Sequence, residues 1–346
     1  MNADYWKGRR VLITGISGFV GSNLTELLLT LGADVIGLDR VKESPSLRVL
    51  NADHVLILGR DIRSRERLRW ALANGSGFPW WRPPEVVFHL AGLGHIKQCQ
   101  ENPLDAFETN VLGTANVLEA CRLLPTPPVV VVASSNHVYG SLPVSSDRIQ
   151  VKDRWHEEDP PLQTDVYGSA KACGDLIVRA YGGLGLRCAA LRHTNSFGPA
   201  DPHRSHIVIR LICDLLEGTQ PVISTVNGST AAKGFIHVSD VVRAYLLIAE
   251  ALVEGVLTPG QALNAGAERP LSIAELAELV AAIAQVGLLP RYEEVAFWDQ
   301  AEYREHLDSS RLLALGWTRR PLTEALAETF IWYRQHGGTA WLSSNS

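Results

Sequence analysis

The chain has 346 residues, 46% of them hydrophobic, enough to bury a large core as two domains or as one large α/β domain with an appendage. Lys and Arg number 32 against 37 Asp and Glu, a net charge of −5 without a basic block, so the sequence carries no electrostatic footprint for nucleic acid. No apolar run approaches the ~18 residues that span a bilayer, and Met1–Lys7 has no apolar signal region.

The five cysteines (Cys99, Cys121, Cys173, Cys188, Cys213) form no CxxC pair, which fits buried thiols in a soluble cytoplasmic protein and no metal site. In chain order, Arg10–Thr14 reads as a strand, Gly15–Gly21 as a glycine-rich turn, and Leu24–Leu31 as a helix that Gly32 stops. Ala33–Asp39 is a second strand, His54–Leu58 a third, and Arg65–Ala73 a helix. A Gly/Pro/Trp-rich loop over Asn74–Pro84 leads to a fourth strand, Val86–Gly92, and a long helix over about Pro103–Leu124. Val129–Ala133 and Arg187–Arg192 are the fifth and sixth strands. After Asn195 the character changes. Ser196–Pro202 reads as a Gly/Pro-punctuated loop, Ile207–Leu216 as a helix, Pro221–Ile223 as strand-like and Asn227-Gly228 as a turn. Phe235–Asp240 leads into another helix capped by Ser239 or Asp240, and Ser272–Val286 is the clearest later helix.

Gly15, Gly18 and Gly21 are spaced G-x-x-G-x-x-G between a strand and a helix. The first glycine of such a turn permits the bend, the second lets backbone N–H groups approach a pyrophosphate, and the third lets helix and strand pack closely. The helix N-terminus adds partial positive charge. Asp39 ends the next strand eighteen residues after Gly21. A carboxylate there bonds the ribose hydroxyls of NAD and repels the 2′-phosphate of NADP, although Arg40 beside it leaves room for NADP. Alternating strands and helices of this spacing predict a Rossmann-type doubly wound parallel sheet. The expected organisation is an NAD-binding domain over 1–195, with part of 235–265 returning to it. A smaller, interleaved substrate domain takes 196–234 and 266–346.

The unbroken run Val129–Val132 suits a strand buried on both faces, and it ends abruptly in Ser134, Ser135, Asn136 and His137. Ligands of open α/β sheets bind beyond such carboxyl ends. Tyr167 and Lys171 lie four apart on one helix face. A nearby ammonium lowers a phenol's pKa, so Tyr167 can take a proton from a hydroxyl as hydride leaves its carbon, while Ser135 steadies the same oxygen.

Thr14–Gly21 (T-G-x-x-G-F-x-G), His89–Gly92 (H-L-A-G), Asn110–Thr114 (N-x-x-G-T), Ser134–Gly140 (S-S-x-x-V-Y-G) and Tyr167–Lys171 together resemble the extended short-chain dehydrogenase/reductase family, the nucleotide-sugar epimerases and dehydratases. The likeness runs to Leu307–Ser310 and Leu315–Trp317, and the scaffold around Asn102–Cys121 and Ser205–Gly218 is most similar to the CDP-glucose 4,6-dehydratase type. The resemblance implies tightly bound, recycled NAD, held by Gly15, Ser17, Gly18, Phe19, Val20, Gly21, Asp39, Arg40, Asp61, Ile62, Leu90, Ala91, Gly92, Asn110, Tyr167 and Lys171. Asp61 would contact adenine and Lys171 the nicotinamide ribose. It implies a nucleotide-diphosphate sugar as substrate, met by His95, Asn195, His206, Lys233 and Arg304. It also implies a homodimer through the helices bearing Asn110 and Tyr167.

The family oxidises the sugar at C4, and its members differ in the step taken from the resulting ketone. Dehydratases of this type place Asp, then Glu or Lys, after the catalytic Ser or Thr, to protonate the departing C6 hydroxyl and take the C5 proton. Here Asn136 and His137 stand there. An amide is no acid, whereas His137 can act as base, or as acid when charged. A C4 epimerase needs only Ser135, Tyr167, Lys171, NAD and room for the keto-sugar to turn. The site chemistry thus favours epimerisation and the scaffold favours dehydration, with a non-catalytic NAD-binding scaffold or sensor as a minor alternative. Lys233 and His206 stand where relatives carry Arg, which leaves the base and sugar open.

Overall fold

The computed structural model describes residues 3–41, 44–77, 81–142, 153–162, 165–226, 231–295 and 304–338. Its strands are β1 (Arg10–Thr14), β2 (Asp34–Asp39), β3 (Ile57–Gly59), β4 (Val86–His89), β5 (Val129–Ala133), β6 (Cys188–His193), β7 (Asn195–Phe197), β8 (Phe235–His237) and β9 (Ala262–Ala265), with four further pairing segments at 222–225, 232–233, 271–272 and 291–294. The principal helices are α1 (Phe19–Thr30), α2 (Gly113–Arg122), α3 (Val166–Gly183), α4 (Ile207–Leu216), α5 (Val238–Val253), α6 (Ile273–Ala284) and α7 (Leu322–Gln335).

The central sheet has seven parallel strands in the order β9-β6-β5-β4-β1-β2-β3. The order reverses at β1 and β4, which opens a crevice beyond their carboxyl ends. Helices on both faces explain the unbroken apolar run of β5. Val129 and Val131 pack with Ile13 and Phe88 on one side, and Val130 and Val132 with Leu12, Val87 and Leu118 on the other. A separate apolar core joins α4, α6 and α7 through Leu211, Ile212, Leu276, Val280, Phe330 and Tyr333. Ser272 starts α6 with a reciprocal cap: its hydroxyl takes the Glu275 N–H and the Glu275 carboxylate takes the Ser272 N–H.

Four expectations shift. The third strand pairs over Ile57–Gly59 rather than 54–58, because Val55 buries its side chain before the backbone reaches β2. The long helix after Pro103 is broken by a π turn, Glu108–Leu112, which carries Asn110. Residues 195–197, read as the edge of a loop, form β7 against β8; three residues are too few for periodicity to show. α5 is capped by His237, whose Nδ1 accepts the Ser239 N–H at 3.2 Å, rather than by Ser239 or Asp240, and β9 completes the main sheet. The turn at Asn227-Gly228 and residues 78–80 of the Trp-rich loop lie outside the described residues. All five cysteines are free thiols. Among the described residues no helix is long and apolar enough to cross a membrane, and no group of three His, Cys, Asp or Glu is placed to hold a metal ion.

Candidate active site

A cavity of about 1080 Å³ opens beyond the carboxyl ends of β1, β4, β5 and β6, more room than one drug-sized ligand fills. At one end the glycine turn forms its wall. Gly15 has φ +73°, and a Cβ there would lie 2.6 Å from the Ala91 nitrogen; a Cβ on Gly21 would lie 2.3 Å from the Gly15 oxygen. Glycine is therefore required at both for α1 to seat on β1. Gly18, Phe19, Val20 and Gly21 line the cavity at the start of α1, and Gly18 takes the N-cap position without a side-chain cap. Asp39 stands beside this turn, accepting from the Ser17 N–H at 3.1 Å and the Val41 N–H at 3.3 Å.

His89, of the H-L-A-G motif, fixes the floor. Its Nδ1 lies 2.7 Å from Thr14 Oγ1 and its Nε2 3.1 Å from Thr114 Oγ1. The Thr114 hydroxyl gives its proton to the Asn110 oxygen, so His89 donates from Nε2 and accepts at Nδ1. Burial, aided by Lys171, lowers its pKa to about 3.

Away from the glycine turn, Ser135, Asn136, His137, Tyr167 and Lys171 line the cavity together. Ser135 caps the short turn that ends β5, accepting from the His137 N–H at 3.2 Å and donating to Asn136 Oδ1 at 3.3 Å. Ser135 and Tyr167 share this wall. Tyr167 is partly buried where it lines the cavity, and desolvation pushes its phenol up to about 12 against the pull of Ser135. This corrects the expectation of a lowered pKa. Lys171 Nζ lies 6.0 Å from the phenol ring centre and donates to the Ala133 carbonyl at 2.9 Å, and burial lowers its own pKa to about 8. The His137 ring stands edge-on to Tyr167, centres 5.6 Å apart. Burial and the Lys233 charge lower its pKa to about 4, so near neutral pH it is a neutral imidazole and no acid.

Behind this wall is a residue that sequence reasoning passed over. Glu305, 1% exposed, accepts from Asn136 Nδ2 at 2.7 Å, Asn195 Nδ2 at 2.9 Å, the Gly234 N–H at 3.2 Å and the Thr194 hydroxyl. Burial raises its pKa, with Lys233 and these donors opposing. Its neighbour Arg304 does not line the cavity; the Arg304 N–H donates to Ser141 Oγ at 3.0 Å and its carbonyl accepts from Leu142.

The opposite wall carries three imidazoles. Ring centres of His95 and His203 are 4.4 Å apart, His95 and His206 5.4 Å, and His203 and His206 5.1 Å. Arg210, one helical turn beyond His206, also lines the cavity and forms no ion pair with the described residues. The i, i+4 spacing of His206 and Arg210 was a readable signal for this face.

Of the expected residues, Arg40, Leu90, Gly92, Asn195 and Lys233 also line the cavity. Ser17, Asp39, Asp61, Ile62, Ala91 and Asn110 do not. Asp61 is held by Arg63, whose side-chain hydrogen bonds lower its pKa despite some burial. Ile62 is 4% exposed and packs on Gly113. Asn110 braces the loop after β4: its Oδ1 accepts from the Leu93 N–H at 2.8 Å and its Nδ2 donates to the Leu93 carbonyl at 3.0 Å.

The sequence profile of the NAD-dependent epimerase/dehydratase family matches residues 11–266. The chain belongs to this family. It is therefore an NAD-dependent enzyme of the epimerase/dehydratase type, built on the Rossmann-like sheet described above. The epimerase/dehydratase is 28% identical to a UDP-glucose 4-epimerase of Mycolicibacterium smegmatis, over 94% of this chain and 98% of that one. It is 26% identical to a CDP-glucose 4,6-dehydratase of Salmonella typhimurium, over 99% and 94%. The crystal structure of Thermus thermophilus UDP-glucose 4-epimerase complexed with NAD superposes with a TM-score of 0.78 at 28% identity, covering 94% of this chain and 99% of that one.

The residues present fit a dinucleotide. The glycine cradle brings backbone close to the cavity, the helix N-terminus is open, and the cavity-lining hydroxyls of Ser134 and Tyr245 are buried without a protein partner among the described residues.

Proposed function

We propose that this enzyme is a nucleotide-sugar 4-epimerase. The observation that carries the reading is the state of the two residues after Ser135: Asn136 is an amide tied to Glu305, and His137 is a neutral imidazole. Neither supplies the proton that departure of a C6 hydroxyl requires. NAD, when bound, would supply the hydride acceptor for the sugar C4 and the donor that restores it.

Gly15 to Gly21 would hold the pyrophosphate and Asp39 the adenosine ribose. Ser134, Tyr245 and Lys171 would hold the nicotinamide half. Tyr167 takes the proton of the C4 hydroxyl and gives it back to the ketone oxygen, and Ser135 keeps that oxygen in place for both transfers. The core of α4, α6 and α7 bears the sugar-nucleotide side. His206, Arg210 and Lys233 meet the diphosphate as separate positive charges. The width of the cavity leaves space for the keto-sugar to present its other face. Leu104, Leu112 and Leu176, all exposed near Asn110 and on α3, support a homodimer, which sedimentation would test.

The second reading is a 4,6-dehydratase, favoured by the likeness to the CDP-glucose enzyme over 99% of the chain. A panel of nucleotide hexoses separates the two. Unchanged mass with inverted C4 configuration supports epimerisation, and loss of one water overturns it.

A further inference from the structure

An amide side chain has a donor end and an acceptor end, and what binds one end decides which faces the ligand. Asn136 gives its Nδ2 to Glu305, which turns its Oδ1 toward Ser135. Asn195 gives Nδ2 protons to Glu305 and to the Gly234 carbonyl, at 2.9 and 3.1 Å, and its Oδ1 accepts no hydrogen bond from the described residues. Both residues line the cavity. Glu305 meets these groups only as an acceptor, its Oε1 taking the Asn195 amide, the Gly234 N–H and the Thr194 hydroxyl and its Oε2 the Asn136 amide. A neutral partner in its place would accept either orientation of each amide.

We propose that Glu305 is a positioning residue that locks Asn136 and Asn195 as hydrogen-bond acceptors at the sugar end of the cavity and thereby directs the Ser135 hydroxyl. The wall so made takes sugars that present hydroxyl hydrogens and disfavours those that present a carboxylate. Ser135, Asn136 and Glu305 form one hydrogen-bonded chain. The amide in its middle does not pass protons, so the chain orients groups and does not relay charge. This role for Glu305 deepens the epimerase reading and rests on it for the identity of the sugar.

The test has one arm that needs no turnover. In 15N-labelled enzyme holding NAD, the side-chain amide signals of Asn136 and Asn195, assigned through Asn136→Ala and Asn195→Ala, should be protected from exchange. Glu305→Gln should remove that protection. Unprotected amides in the unsubstituted enzyme overturn the proposal, whether or not any sugar is epimerised and whether or not Glu305→Gln folds.

The second arm compares charge with shape. Glu305→Gln keeps the volume and loses the acceptor-only character; Glu305→Asp does the reverse. Glu305→Gln should lower kcat about tenfold at nearly unchanged NAD content, the loss of one charge-assisted hydrogen bond, while Glu305→Asp stays more active. It should also move the Tyr167-dependent limb of the pH profile upward. The opposite ranking, or a Glu305→Gln kcat within about twofold of the parent, overturns the proposal.

Discussion

His206 Nδ1 lies 2.7 Å from the carboxylate of Asp201, a residue with no exposed surface. Burial draws the His206 pKa down, but the charge and hydrogen bond of Asp201 outweigh it and the net shift is upward. His203 goes the other way, to about 4, and burial lowers His95 as well. One imidazole of the three therefore keeps its charge to higher pH. Charged His206 attracts an anionic diphosphate, so KM for a nucleotide sugar should rise as pH climbs through its raised pKa, above the ordinary 6.5. His206→Gln should give a KM that is flat over that window. A parent KM independent of pH between 6 and 8 would count against a charged His206 in binding.

Tyr167→Phe should lower kcat by about 10²–10⁴-fold, the usual worth of a general base, without loss of NAD. In the ligand-free site only a small fraction of Tyr167 is phenolate at neutral pH, because its pKa lies at about 12. The kcat/KM of the unsubstituted enzyme, which reports groups of the enzyme before the sugar binds, should therefore rise with pH across the accessible alkaline range, as more phenolate forms. Rate profiles of the two proteins check this.

Arg210 stands on the cavity wall without an ion-pair partner among the described residues. Arg210→Ala should raise KM about tenfold and leave kcat nearly unchanged, the pattern of a contact made equally in ground and transition states. A fall in kcat at constant KM would place Arg210 in the chemistry instead.

His89 is neutral in the fold, with its pKa near 3, and its two ring nitrogens are both engaged. An unfolded chain protonates the same imidazole near 6.5, so the folded state binds fewer protons below that value. The stability His89 contributes is present above 6.5 and is lost as pH falls toward about 3. His137 and His237, lowered to about 4, act in the same direction. The thermal midpoint should therefore drop steeply between pH 6 and 4, and less steeply in His89→Gln, whose amide retains a donor and an acceptor.

The order of strands and helices was legible because each carries a local signature, such as the glycine turn before α1 or the valine run of β5. The gathering of Ser135, Tyr167 and Lys171 followed from strand ends and helix spacing. Glu305 was not legible, since it lies 169 residues from Asn136 in a segment whose pattern suggested only Arg304 as a ligand. The pKa of Tyr167 was misread for a related reason. Spacing places Lys171 on the same helix face, but only the fold reveals how deep the phenol lies and that the ammonium is spent on the Ala133 carbonyl. β7 escaped notice because short strands owe their existence to partners far along the chain.

The late arrival of β9 has a consequence for how the polypeptide is made. Until residues 262–265 leave the ribosome, β6 is an unpaired parallel edge, and the buried Asn264 has not yet met the Tyr139 hydroxyl at 2.9 Å or the Trp155 carbonyl at 3.1 Å. The Glu305 carboxylate emerges later still. A nascent chain can thus assemble the glycine cradle well before it owns a finished sugar wall, and a truncation after residue 195 would yield a six-stranded sheet with a sticky open edge and no enzyme.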